Sequence, residues 1–254
     1  MPSASALLLA VLLLAALLLP GSLLVPVGLV SAAPSTDAKA AGSAGTAKAA
    51  DAAVTEAADT NPTALAVAAY ESGDIDEAQR LFLTAARAGD ATAAYNAAVI
   101  RLRDESEVPD EQTALALLSQ SAGSGFVDAQ HLLATLHERG EFLPASQSLA
   151  LKWYRLAAEQ GDADSQLALA TQYFLGRGTE QDFGEAARWY GKAAEAGDEG
   201  AQYILASMYE RGVGVETDLE QALTWYSAAA RQGDVAAQSK AREVVERLAA
   251  ERRQ

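Results

Sequence analysis

The chain has 254 residues, a net charge of −15 and no cysteine. That length holds one or two domains. The acidic balance, with no basic stripe, excludes nucleic acid and anionic lipid as natural partners, and the missing thiols exclude disulfides, thiolate metal sites and cysteine nucleophiles.

The first 36 residues carry no charged side chain. Ala6 to Leu19 is a run of Leu, Ala and Val, broken by Pro20-Gly21, and a weaker apolar stretch continues to Val30. The small residues Val30-Ser31-Ala32-Ala33 fit a cleavage site after Ala32, so residues 1–32 read as a signal peptide. The alternative is a retained anchor, since residues 6–30 are long enough to span a bilayer, although Pro20, Gly21 and Pro26 interrupt them. No Lys or Arg precedes the apolar run, unlike an ordinary leader. Residues 33–60 are mostly Ala, Ser, Thr, Gly, Lys and Asp and read as a disordered linker, with a reach on the order of 30 Å.

From Asn61-Pro62, a helix entry with an N-cap residue and a first-turn proline, one period governs the chain. Gly89, Gly125, Gly161, Gly197 and Gly233 fall 36 residues apart, and Ala78, Ala114, Ala150, Ala186 and Ala222 repeat in phase. An aromatic pair recurs as Trp153-Tyr154, Trp189-Tyr190 and Trp225-Tyr226, with Leu117-Leu118 and Leu81-Phe82 at the two earlier sites. A fixed period between about 20 and 50 residues marks a stacked-repeat protein. In the unit 203–238, whose first helix begins in the preceding unit at Asp198, Ala201, Leu205 and Tyr209 form one face of that helix, and Gly212 and Gly214 make a loop. Ala222, Trp225, Tyr226 and Ala229 then form the buried stripe of a second helix, which Gly233 ends. Asp74, Asp110, Ser146, Asp182 and Asp218 should cap the second helices, and Asp90, Asp162, Asp198 and Asp234 the first. Phe126 breaks the latter series, with Asp128 two residues later. One acid per repeat cannot converge on one point, so these ladders read as caps and not as metal ligands or catalytic carboxylates. Small pairs such as Ala157-Ala158 and Ala193-Ala194 let helices approach closely.

The strings LALATQYFLGRGTEQDFGEAARWYGKAAEAGDEGAQ and YILASMYERGVGVETDLEQALTWYSAAARQGDVAAQ resemble Sel1-like repeats, a branch of the tetratricopeptide-like solenoids. The likeness covers residues 64 to 238. It implies an all-α fold, an α/α right-handed superhelical solenoid of about five helix-pair repeats, acting as adaptor or regulator through protein contacts. The chain departs from the pattern at Ala134, Ala170 and Ala206, where the family has glycine. The loop RDESEVPDEQ lacks glycine, and the first loop is five residues shorter than the last (Tyr70 to Ala78 against Tyr209 to Ala222). The solenoid is placed at 61–238. A C-terminal capping helix follows at 239–254, within a helical stretch of 234 to 252.

Chemistry is sparse. The two histidines, His131 and His137, are six apart, share no helical face and have no cysteine beside them. His137 stands where Tyr173 and Tyr209 stand, a packing position. Gly176-Arg177-Gly178 and Gly212-Val213-Gly214 follow helices, lack a third glycine and are turns, not dinucleotide loops. No G-x-S-x-G elbow or S-x-x-K pair is present. The expectation is therefore a non-enzyme with no catalytic residue, cofactor or metal.

By resemblance to tetratricopeptide units, the concave side carries one row at Tyr95, His131, Leu167 and Tyr203. A second row lies at Val99, Thr135, Thr171 and Ser207, with Phe174 and Leu175 near the same edge. Tyr95, His131, Leu167, Tyr203, Phe174 and Ser207 are the expected protein-binding residues; the competing reading is that they pack against neighbouring repeats. The partner is a protein or peptide, a basic one being favoured by the acidic body. The setting is the bacterial envelope, periplasmic or secreted, or inner-membrane anchored facing the periplasm. The alternative activity is a cell-wall hydrolase of β-lactamase type, for which no Ser, Lys and acid cluster is visible.

Overall fold

The computed structural model describes residues 61–103 and 110–253. The expected signal segment, the linker and part of the RDESEVPDEQ loop lie outside them. The described residues form eleven α-helices and no strand: α1 (Pro62–Glu71), α2 (Ile75–Arg87), α3 (Ala91–Leu102), α4 (Glu111–Gly123), α5 (Val127–Arg139), α6 (Gln147–Glu159), α7 (Ala163–Leu175), α8 (Phe183–Glu195), α9 (Glu199–Arg211), α10 (Leu219–Gln232) and α11 (Val235–Glu251). The division expected at 238 falls inside α11.

The helices begin where the acidic ladders place them. Asn61, Asp74, Asp90, Asp110, Ser146, Asp162, Asp182, Asp198, Asp218 and Asp234 each accept a backbone amide of the first turn. Each such cap contributes about 1 kcal/mol. Gly176, Gly212 and Gly233 close α7, α9 and α10 in the left-handed region. Gly214 is needed for a second reason. At φ +71° it lies so close to the Phe183 carbonyl that a Cβ would overlap it, as one at Gly178 would overlap the Gln147 carbonyl. One period before Gly178, the chain places Phe142 at φ 58°, the one non-glycine residue with positive φ among those described.

Two compact units divide within α5, between Ala129 and Gln130. In the N-terminal unit α1 packs on α2, α2 on α3 and α3 on α4. Its core is alanine-rich: Ala66, Ala78, Ala93, Ala94 and Ala97 are fully buried around Phe82 and Ile100. In the C-terminal unit each helix from α6 to α11 packs on the next. Its core sets aromatics against alanines: Tyr154, Trp189, Tyr190 and Phe174 lie among Ala150, Ala158, Ala186, Ala193 and Ala201. One helix pair cannot bury its stripe alone, so the neighbouring pair supplies the other wall. Within the aromatic pair the tyrosine goes deeper. Tyr154, Tyr190 and Tyr226 are buried, and among the tryptophans Trp189 alone is. Trp153 and Trp225 remain half-buried.

Candidate functional site

The expected row divides by burial. Tyr95 in the N-terminal unit is 1% exposed, whereas His131, Leu167 and Tyr203 in the C-terminal unit stay half-buried. Phe174 and Ser207 are 2% and 4% exposed. Tyr95, Phe174 and Ser207 therefore have no surface to offer a partner. Each has an internal reason. Phe126, standing where Asp90, Asp162, Asp198 and Asp234 stand in the other repeats, tilts its ring against Tyr95 at 5.2 Å. Phe174 lies edge-on to Phe183 at 5.1 Å and to Tyr190 at 6.5 Å. Ser207 is buried beside the Tyr226 phenol and interacts with it electrostatically.

That last contact has counterparts one and two periods earlier. The Thr135 and Thr171 hydroxyls meet those of Tyr154 and Tyr190 at 3.2 and 3.0 Å. The polar second row is thus consumed in satisfying buried phenols, which cannot be left unpaired without a cost of about 1–3 kcal/mol each. Burial pushes all three phenols well above the ordinary tyrosine range and keeps them neutral donors. Two carboxylates take the other half of the duty, missed in the sequence although they sit 72 residues apart. Tyr154 donates to Glu138 at 2.8 Å and Tyr226 to Glu210 at 2.9 Å. Phe174 occupies the intervening site. Glutamines form a further unread ladder at Gln130, Gln166 and Gln202. Gln166 and Gln202 donate to the Ala158 and Ala194 carbonyls, and Gln160 and Gln232 reach Gln130 and Gln202.

Two of the three open positions share one geometry. His131 lies edge-on to Tyr154 at 5.7 Å, and Tyr203 to Tyr226 at 5.3 Å. His131 Nδ1 also stands 2.8 Å from Ser165 Oγ and 3.3 Å from Asp162 Oδ2. Burial raises the Asp162 carboxyl, but hydrogen bonds from His131 and Ser165 outweigh it and hold the group below its ordinary value. The Ser, His and Asp do not form a nucleophilic triad. One ring nitrogen faces both partners, Ser165 is fully buried, and its amide donates to Asp162 as an ordinary cap bond at 2.8 Å. The arrangement pins the start of α7 to α5. Among the described residues, no cluster could hold a metal ion and no helix is long and apolar enough to cross a membrane.

Helical hairpins at a constant period, with an aromatic-alanine core, define a helical-repeat protein. The Sel1 repeat matches residues 65–90, 91–126, 127–162, 163–198 and 200–234, and the chain belongs to the Sel1 repeat family. Proteins of this family are generally interaction scaffolds that bind protein partners. No curated protein matches the chain. Among solved structures it is similar to a Sel1 repeat protein from Oxalobacter formigenes, at 27% identity and TM-score 0.58, covering 71% of this chain and 75% of that one. It is also similar to c5321, a protective antigen of uropathogenic Escherichia coli strains with an SLR fold, at 29% identity and TM-score 0.58. That match covers 63% of this chain but only 34% of c5321, so the chain spans about a third of that relative.

Proposed function

We propose that the chain is a non-enzymatic scaffold or regulator of the bacterial envelope that binds a protein segment on the first-helix face of its C-terminal unit, through His131, Leu167 and Tyr203. The supporting observation is selective exposure. These three positions stay half-open while the neighbouring Thr135 and Thr171 are spent on internal hydrogen bonds and Ser207 is buried. Mixed aromatic and apolar side chains on a body of net charge −15 suit a basic segment. The apolar run before Pro20 supports export, with cleavage after Ala32 or retention as a membrane anchor. The description of the E. coli relative as a protective antigen accords with an exported setting.

Envelope fractionation with N-terminal sequencing tests the setting: a chain beginning at Ala33 is expected, and full-length protein confined to the cytosol overturns it. For the face, Tyr203→Ala should weaken capture of envelope partners by about 1–2 kcal/mol while helix content stays unchanged. Unfolding of that variant, together with no capture by the folded wild type, removes the assignment.

A further inference from the structure

The second helices of the repeats differ on one face, and the 36-residue register makes the difference readable. At the first position of that face stand Glu77, Thr113, Leu149, Glu185 and Gln221; one turn on, Arg80, Ala116, Lys152, Arg188 and Thr224; two turns on, Thr84, Gln120, Leu156, Lys192 and Ala228. In α8 these residues shield the tryptophan. Arg188 pairs with Glu185 at 2.6 Å, Arg188 and Lys192 lie 4.4 and 4.5 Å from the Trp189 ring centroid, and Trp189 is 3% exposed. In α2, Glu77 and Arg80 form the same i,i+3 pair.

Helix α6 has lost the shield. Leu149 and Leu156 replace the flanking charges and are 41% and 36% exposed, while Trp153 between them is half-buried. Spaced at i, i+4 and i+7, the three make one apolar stripe. Two cations flank it without a carboxylate. Lys152 lies 5.0 Å from the Trp153 ring centroid, and Arg155 donates to the Tyr173 hydroxyl at 2.7 Å. Glu159 is the lone acid of the face, at its far end. Exposed leucines beside an unshielded tryptophan suit a partner's apolar side chains, and unpaired cations on a strongly acidic chain suit a partner's carboxylates.

We propose that the exposed face of α6, formed by Leu149, Trp153 and Leu156 and flanked by Lys152 and Arg155, docks an amphipathic helix of a partner protein that carries acidic residues beside its apolar stripe. The occupant differs in charge from the basic segment assigned to the first-helix face, and the two surfaces are separable by mutation.

The test uses the purified full chain and two labelled helical peptides. Both carry leucines at i, i+4 and i+7; one has glutamates along the flanks, the other lysines at the same places. Fluorescence anisotropy should show the acidic peptide binding more tightly. L149E/L156K, which gives α6 the residues α8 already carries, should weaken that binding about tenfold or more. K152E/R155E should reverse the preference between the two peptides. Y203A should leave acidic-peptide binding unchanged. Four results overturn the proposal: equal binding by wild type and L149E/L156K, equal affinity for both peptides, loss of binding in Y203A, or wild-type self-association in sedimentation velocity that L149E/L156K abolishes. The last would give the face to a second copy of the chain.

Discussion

Tyr95 and Tyr203 occupy the same phase of the repeat, three periods apart, yet Tyr95 is buried in the N-terminal unit and Tyr203 is half-open in the C-terminal unit. The cause lies in the residue before each following helix. Asp162, Asp198 and Asp234 stand there in the C-terminal unit, short acids turned to the helix amides. In the N-terminal unit the place belongs to Phe126, whose ring covers Tyr95. Register therefore fixes where a side chain sits along the stack, and one neighbouring residue decides whether it meets solvent.

The sharpest break of the comparison is in the core. Trp189→Ala should cost about 3–5 kcal/mol in chemical denaturation, because the indole is enclosed by protein. Trp153→Ala, on the unshielded α6, should cost clearly less; equal losses would mean that the α8 charges shield nothing.

Phe126→Asp tests the cover directly. It restores an acidic cap contributing about 1 kcal/mol but removes ring packing of about 3 kcal/mol, so a net loss of about 2 kcal/mol is expected. Tyr95 should become reactive to a phenol-modifying reagent. An unreactive Tyr95 in a folded variant would show that Phe126 is not what buries it.

Asp162→Ala should cost about 1 kcal/mol as a lost cap. The sign of the pH effect follows from the lowered carboxyl. Its folded value lies below that of an ordinary aspartate, so its stabilisation is complete above the ordinary value and is lost as pH falls through the lower folded value. Wild type and variant should therefore converge in stability in acid. A gap that persists to the lowest accessible pH would place the stabilisation elsewhere.

The smallest effect is expected at Phe142, a bulky residue held where the two later repeats use Gly178 and Gly214. Phe142→Gly should relieve backbone strain and raise stability by up to about 1 kcal/mol. A loss would show that the Phe142 side chain contributes more packing than its φ costs.

The helices, their caps and the repeat period were legible because each depends on local chemistry: an Asp accepting first-turn amides, a glycine at positive φ, an apolar stripe. The candidate site was only half legible. His131, Leu167 and Tyr203 were singled out by phase, but phase could not show that Ser207 is buried beside a tyrosine or that Phe126 covers Tyr95. Those outcomes depend on contacts between elements. Glu138 and Glu210 escaped notice because their spacing skips the repeat that carries Phe174, so the interval of 72 hid a ladder with one missing rung.

Glu210 has a wider bearing. It is 8% exposed, accepts from Tyr226, and faces Arg247 at 2.8 Å and Lys240 at 3.8 Å, both on α11. If α11 peels away, that carboxylate loses both cations, and removing the partners of a buried charge is costly. Helix α11 thus works as a latch on α9. Opening at α11 therefore disturbs α9 and α10 together, which resists the gradual, helix-by-helix unravelling that a linear stack otherwise invites a protease to exploit.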